Sequence, residues 1–284
     1  MTLHQAEQRV RVLLTEAGIE AAPFEAAQLC CAVLGLDRAK LLAQGEASLP
    51  PEAEERLLAL AQKRAAGYPL QYLLGEWEFY GAPFAVGEGV LIPRADTETL
   101  CEKAISLLGE REAVMLDLCS GSGCIAVTIA RECPNSQVYA VEKSPEACSY
   151  LRINIERNRV PVTAICADAL AEETLTQVPA CDIIVSNPPY LTAQDMAGLQ
   201  REVAYEPSMA LLGGEDGLQF YRELTRLWKR QLKPGGWLLY EIGMGQESAV
   251  REILEQNGLE SVCTARDLCG IIRVIGARTS VQAG

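Results

Sequence analysis

The chain has 284 residues, 25 basic and 38 acidic side chains, a formal charge of −13 and one histidine, His4. That length accommodates about two ordinary domains, and the acidity argues against a broad surface for neutralising nucleic-acid phosphates. A lone histidine at the extreme N-terminus excludes most zinc hydrolases and most Ser-His or Cys-His enzymes, leaving the chemistry to carboxylates, amides, backbone groups or a cofactor.

Residues 1–66 read as helices alone. Thr2 and Gln5 have the spacing of a capping box, Leu3, Val10, Leu13 and Leu14 then form an apolar stripe, and Gly18 ends it. Further helices are expected over 24–34, over 38–44, and from Pro50-Pro51-Glu52 to 66, joined by loops short enough for a small bundle. A helical unit with no recognisable chemistry is expected to dock a protein substrate. From 67 to 93 the texture changes to GEWEFYGAPFAVGEGVLIP, in which Trp77, Phe79, Phe84 and Val86 alternate around Gly81, predicting a β-hairpin linker. The remaining span, 94–284, opens with a helix start at Asp96-Thr97-Glu98. Apolar strands at 114–118, 138–141, 162–167, 183–186, 237–242 and 271–275 then alternate with helices beginning near Ser122, Ser144, Gly217 and Gln246. Such alternation predicts an α/β fold with a doubly wound, mostly parallel sheet.

No apolar run approaches the roughly 18 residues that span a bilayer, and the first ten residues lack a secretory pattern, so a cytoplasmic protein without a membrane partner is expected. The eleven cysteines are an odd number and include no CxxC pair. They are expected to be free thiols serving as small core residues, with no metal site.

The first strand of the sheet ends in Asp117-Leu118-Cys119-Ser120-Gly121-Ser122-Gly123, and a helix follows at once. Gly121 and Gly123 allow a sharp turn and close approach of a ligand to the backbone at a helix N-terminus. Glu142 ends the next strand, where a carboxylate can accept from ribose hydroxyls. A pyrophosphate is disfavoured, because Ala126 stands where its fingerprint prefers glycine and Asp117 adds a negative charge. An acidic loop suits instead the ammonium and sulfonium of S-adenosylmethionine; the alternative for Asp117 is a helix or loop cap.

The fourth strand runs into Asn187-Pro188-Pro189-Tyr190. Two prolines cannot continue a central strand, so the segment leaves the sheet as a stiff turn with free carbonyls at the carboxyl end, where open α/β folds place ligands. An NH2 on a planar conjugated carbon is a weak nucleophile. The Asn187 side-chain oxygen and the Pro188 carbonyl can hold its two N–H groups and aim its lone pair at a methyl, while Tyr190 covers the planar group. No strong base is needed, which fits a chain nearly without histidine.

These features, together with RAAGYPLQYLLGEWEFYG, VLIPRADTE, EVAYEPSMALLGGEDGLQFYREL and LKPGGWLLYEIG, resemble the bacterial release factor glutamine methyltransferases (the PrmC/HemK family), from about residue 64 onward. The resemblance implies a seven-stranded class I methyltransferase sheet. It also implies methyl transfer from S-adenosylmethionine, with S-adenosylhomocysteine as product, to the glutamine side-chain nitrogen of the GGQ motif in peptide chain release factors, and hence a part in translation termination. It implies that Cys119, Ser120, Gly121, Ser122 and Gly123 wrap the methionine and ribose, that Glu142 binds ribose, and that Asn187 lies beside both methyl donor and glutamine, with Pro188, Pro189 and Tyr190 completing the glutamine pocket. Asp168 follows the third strand, and Ala169 and Leu170 replace an aromatic residue that some relatives stack on adenine, so apolar contact is expected there. Cys119 stands where related loops often have glycine, which is tolerable at negative φ. Arg94 has two readings, a contact at the active-site mouth or an ion pair with Asp96 or Glu98.

The nearest alternative is an adenine or guanine amino-group methyltransferase acting on DNA or RNA, since an aminobase and a carboxamide present similar edges. Flipping a base from a duplex calls for a basic groove. With no basic run longer than Lys229-Arg230, release factors are the expected partner of a monomeric enzyme without direct nucleic-acid contact.

Overall fold

The computed structural model describes residues 1–281; the last three residues of the expected 94–284 span lie outside the described residues. The chain forms two compact units, Met1–Glu76 with Gln200–Tyr205, and Trp77–Leu199 with the chain from Glu206 onward.

The first unit holds α1 (Leu3–Glu16), α2 (Ala22–Leu34), α3 (Arg38–Ala43), α4 (Pro51–Ala65) and α5 (Leu70–Leu74). The capping box at Thr2 and Gln5 forms in both directions, and Leu3, Ala6, Val10 and Leu14 face inward while Leu13 sits half-buried at the edge of the stripe. Arg64 on α4 is buried between two carboxylates, Glu25 at 2.5 Å and Glu202 at 2.7 Å. A buried guanidinium fork needs such partners. With an edge-on contact of Tyr68 and Tyr205 at 5.1 Å, this pairing accounts for a distant stretch of chain, 200–205, joining the helices.

The second unit begins with the hairpin of β1 (Glu76–Phe79) and β2 (Ala82–Ala85). Phe79 and Phe84 meet edge-on at 5.9 Å and enter the core of this unit. There follow α6 (Glu98–Leu108), β3 (Ala113–Leu118), α7 (Cys124–Glu132), β4 (Ser136–Glu142), α8 (Pro145–Asn158), β5 (Val162–Cys166), β6 (Cys181–Ser186), α9 (Ala193–Ala197), α10 (Gln219–Trp228), β7 (Leu232–Glu241), α11 (Glu247–Gln256), β8 (Glu260–Arg266) and β9 (Ile272–Arg278). The seven-stranded sheet has the order β5-β4-β3-β6-β7-β9-β8, parallel from β5 to β7, with β9 antiparallel to both neighbours. One face packs on α6 and α7, the other on α10 and α11, as a doubly wound sheet requires. β8 has no counterpart among the expected strands, because this edge strand is mostly solvated and carries no apolar run.

The chain runs outward from β3 to β5, then returns to the other side of β3 at β6. That reversal puts the ends of β3 and β6 side by side at a switch point, the usual ligand crevice of open α/β sheets. Register fixes the detail: Leu118 pairs with Ser186, and Ser186 with Tyr240, so Cys119, Asn187 and Glu241 leave adjacent strands together.

Two cysteines depart from the expectation of free thiols. The crossover from β4 through α8 to β5 brings Cys148 and Cys166 together as a disulfide, with Cα atoms 6.1 Å apart; eighteen residues of separation leave no short-range signal for it. Among the described residues no cluster could hold a metal ion and no helix is long and apolar enough to cross a membrane.

Candidate active site

The loop after β3 is built from its own backbone. Ser120 donates its amide to the Val141 carbonyl (3.1 Å) and its hydroxyl to the Asp117 carbonyl (2.9 Å), while Gly123 N–H closes a turn onto the Ser120 carbonyl at 2.8 Å. Gly121 and Gly123 have φ of +54° and +79°, and a Cβ on Gly123 would lie 2.4 Å from Leu151 Cδ1. Glycine at 123 is therefore required for both conformation and space. Cys119 also adopts positive φ, +58°, so the condition under which its replacement of glycine is tolerable, a negative φ, is not met. A side chain there is in a left-handed conformation costing about 1 kcal/mol. Behind the loop, the buried Asn154 on α8 donates to the Ser122 carbonyl (2.9 Å) and accepts from the Ala85 amide (2.6 Å), tying loop and hairpin to one helix.

Glu142, at the end of β4, is buried, with Oε2 accepting from Gly121 N–H at 2.8 Å and Oε1 from Ser144 N–H at 2.7 Å. Two amides thus fix the carboxylate on the wall of a cavity of about 320 Å³. Cys119, Ser120, Gly121, Ser122, Asp168, Ala169, Asn187, Pro189 and Arg94 share that wall. Asp168 is held by Lys143 at 2.7 Å and by the Leu170 amide at 2.9 Å. Burial works to raise its carboxyl, but the bonds from Lys143 and Leu170 outweigh it and leave it below the ordinary carboxylate range. Ala169 is fixed by the indole N–H of the buried Trp228, which donates to its carbonyl at 2.8 Å.

Asp117, Gly123, Pro188 and Tyr190 do not line this cavity. Asp117 is fully buried, and burial pushes its carboxyl up to about 8, against smaller lowering by the nearby Ser120 and Ala126 amide. It belongs to the last, fully buried stretch of strand β3. Tyr190 is held by its backbone: Gln246 donates to its carbonyl at 3.1 Å, and a Cβ on Gly213 would lie 2.7 Å from both the Pro189 oxygen and Tyr190 Cα. Burial, then the nearby Glu241, push the Tyr190 phenol up to about 12.

Asn187 contributes one interaction from its side chain: Nδ2 donates to Thr97 Oγ1 at 3.3 Å. Neither its Oδ1 nor the Pro188 carbonyl accepts a hydrogen bond among the described residues. Arg94 lines the cavity and pairs with the buried Glu206, not with Asp96 or Glu98; Glu206 also accepts from the Ile92 amide at 3.0 Å. Asp96 instead meets Arg273 at 2.9 Å, and Glu98 accepts from the Tyr80 amide at 2.9 Å. Thr97, Lys143, Glu206 and Glu241 were not singled out from the sequence. Glu241 carries the signal that identified Glu142, a glutamate closing an apolar strand, whereas Glu206 is brought in from over a hundred residues away and has no local mark.

The chain matches two family descriptions, "PrmC N-terminal domain" over residues 5–75 and "methyltransferase small domain" over residues 97–206. It is 42% identical over 278 residues to a release factor glutamine methyltransferase of Geobacter sulfurreducens, covering 98% of this chain and 96% of that one. A release factor glutamine methyltransferase of Thermodesulfovibrio yellowstonii is 36% identical, covering 88% and 90%. Among solved structures, a methyltransferase from Pyrococcus furiosus superposes with a TM-score of 0.53 at 20% identity, covering 71% of this chain and 91% of that one, a likeness of fold.

Proposed function

The chain belongs to the release factor glutamine methyltransferase family, and from that premise we infer that it transfers a methyl group from S-adenosylmethionine to the side-chain nitrogen of the GGQ glutamine in peptide chain release factors. The observation that carries the reading for this site is the amide of Asn187, tied through Nδ2 to Thr97 with Oδ1 free, next to the unbonded Pro188 carbonyl at the switch point. The residues present fit the cofactor: a glycine turn open to close approach, an amide-held carboxylate at Glu142 for ribose hydroxyls, and an apolar wall at Ala169 and Leu170 for adenine. When bound, S-adenosylmethionine supplies an electrophilic methyl on a cationic sulfur.

The chain's own residues position the nucleophile. A carboxamide nitrogen is poorly nucleophilic because its lone pair is delocalised, and the Asn187 Oδ1 and Pro188 oxygen are two acceptors for its two N–H groups. Holding both fixes the direction of the lone pair, and two aligned acceptors are worth more in a crevice than in water. Pro189 lines the glutamine pocket, and Arg94, steadied by Glu206, meets the substrate at its mouth. The helical unit docks the release factor, with Val12, Phe24 and Leu42 among its exposed apolar side chains. The net charge of −13 supports a basic protein substrate over nucleic acid, and a monomer in the cytoplasm, where translation occurs, suffices. Labelled cofactor should transfer its methyl to a purified release factor and not to the Gln→Ala GGQ variant. Label on both proteins refutes the site, and label on neither refutes the activity.

A further inference from the structure

Gln246 stands at the N-cap of α11, yet its side chain caps nothing there. Serine, threonine, aspartate or asparagine serve that position better, so the glutamine answers another need. Its Oε1 accepts from the Gly243 amide at 2.9 Å and from the buried Tyr221 hydroxyl of α10 at 3.3 Å. Its Nε2 donates to the Tyr190 carbonyl at 3.1 Å and to the Gly217 carbonyl at 3.3 Å. Two carbonyls can only accept and a backbone amide can only donate, so the partners dictate which end of the carboxamide is oxygen. Space is kept for this reach: a Cβ on Gly217 would collide with the Tyr190 carbonyl and lie 2.9 Å from Nε2, and one on Gly243 would lie 3.0 Å from Oε1.

The turn Asn187-Pro188-Pro189-Tyr190 needs such a hold. Proline nitrogens donate no hydrogen bond, so a turn through two prolines must be fixed from its ends. One end is Ser186, paired in the sheet with Leu118 and Tyr240. At the other, Leu191 N–H donates to the Leu211 carbonyl at 2.9 Å and the Leu191 carbonyl accepts from Gly213 at 2.8 Å. Gln246 holds the carbonyl that lies between the prolines and this pairing. We propose that Gln246 is a positioning residue for methyl transfer: its carboxamide splints the Tyr190 peptide to Gly217 and to the loop after β7, and so keeps the Pro188 carbonyl converging with Asn187 Oδ1 on the substrate nitrogen. Gln246 does not line the cavity, so it acts on aim and not on cofactor binding. This inference rests on the glutamine-methylating reading of the site.

The test compares Gln246→Met with Gln246→Glu. The methionine keeps the reach of the side chain and removes its hydrogen bonds; it should lower kcat on the order of 10- to 100-fold, leaving the Kd for S-adenosylmethionine within about twofold. The glutamate keeps the acceptor, but a carboxylate facing two carbonyls is disfavoured, which raises it above the ordinary value of about 4.3. Once protonated it donates to Tyr190 again, so its kcat relative to wild type should rise several-fold as pH falls from about 8.5 to about 5.5. The groups around it are the Tyr221 and Tyr190 phenols, raised by burial, Asp216 paired with Arg222, Glu247 paired with Arg251, and Glu241, which burial raises to about 7. All are common to both proteins, and the ratio removes them. Independently of turnover, the Tyr190 carbonyl-carbon resonance, assigned by its loss in tyrosine-labelled Tyr190→Phe, should move in Gln246→Met, and in Gln246→Glu it should return towards its wild-type position over the same pH range. A kcat ratio flat with pH, a resonance that stays put in Gln246→Met, or a cofactor affinity that falls as far as kcat overturns the splint. If Gln246→Met does not fold, Gln246→Glu decides by the same two readouts. A wild-type chain that does not methylate a release factor sinks the functional reading instead, while the resonance still judges the splint.

Discussion

The ends of β3, β4 and β5 and the ends of β6 and β7 face one crevice but are built on opposite plans. On the first side three polar side chains that line the cavity are already engaged: Glu142 by two amides, Asp168 by Lys143 and an amide, Ser120 by two carbonyls. On the second, the Asn187 Oδ1 and the Pro188 carbonyl are left open, and Asn187 is fixed only from behind, through Thr97. A pre-satisfied wall binds a large ligand without rearranging, whereas open acceptors wait for two particular N–H groups. The contrast separates binding the cofactor from aiming the nucleophile, and it sets what each substitution should disturb.

Asn187→Ala should have the largest effect, lowering kcat on the order of 100- to 1,000-fold, as loss of one preorganised polar partner does elsewhere, with the Kd for S-adenosylmethionine changed only a few fold in calorimetry. A comparable loss of cofactor affinity would erase the distinction between the two sides. Glu142→Ala is the mirror experiment. Losing a charged acceptor for ribose hydroxyls, about 1.5–3 kcal/mol, should weaken cofactor binding roughly tenfold to hundredfold while kcat at saturation moves far less.

Asp117 provides a smaller effect that reads on stability. Its folded-state pKa, about 8, lies above the unfolded 3.8, so between those values the folded chain holds more protons than the unfolded chain and stability falls as pH rises. Asp117→Asn should flatten that fall between about pH 4 and pH 8 in thermal unfolding of the cofactor-free protein; an unchanged slope would show that the carboxyl is not desolvated. Smallest is Cys119→Gly. Relieving a side chain at φ +58° should stabilise by about 1 kcal/mol, raising Tm by about 2–4 °C, with turnover preserved.

Much of this was legible in the residues. The first helix with its capping box, the hairpin about Gly81, and the alternation of apolar strands with helices follow from local periodicity and turn chemistry, which act over a few residues. The glycine turn, Glu142 and Asn187 were legible for the same reason: each terminates a strand, and in an open parallel sheet strand ends are where ligands go. What escaped depends on contacts distant in sequence. Glu206 reaching Arg94, Glu202 reaching Arg64 and Cys148 reaching Cys166 are set by the crossovers, not by spacing. The positive φ of Cys119 escaped because the residue type argued against it. The side-chain direction of Asp117 escaped because a strand's last residues give no sign of whether the chain above covers them.

The central claim is that the crevice aims a carboxamide nitrogen at a methyl group. Its most direct test is to methylate a release factor with cofactor labelled in the methyl, isolate the peptide containing the GGQ glutamine, and hydrolyse it in acid. An N-methylated side-chain amide releases its label as methylamine, and the account predicts recovery of the label in that form from that peptide. Label released as methanol, retained on carbon, or found on a different residue would contradict it.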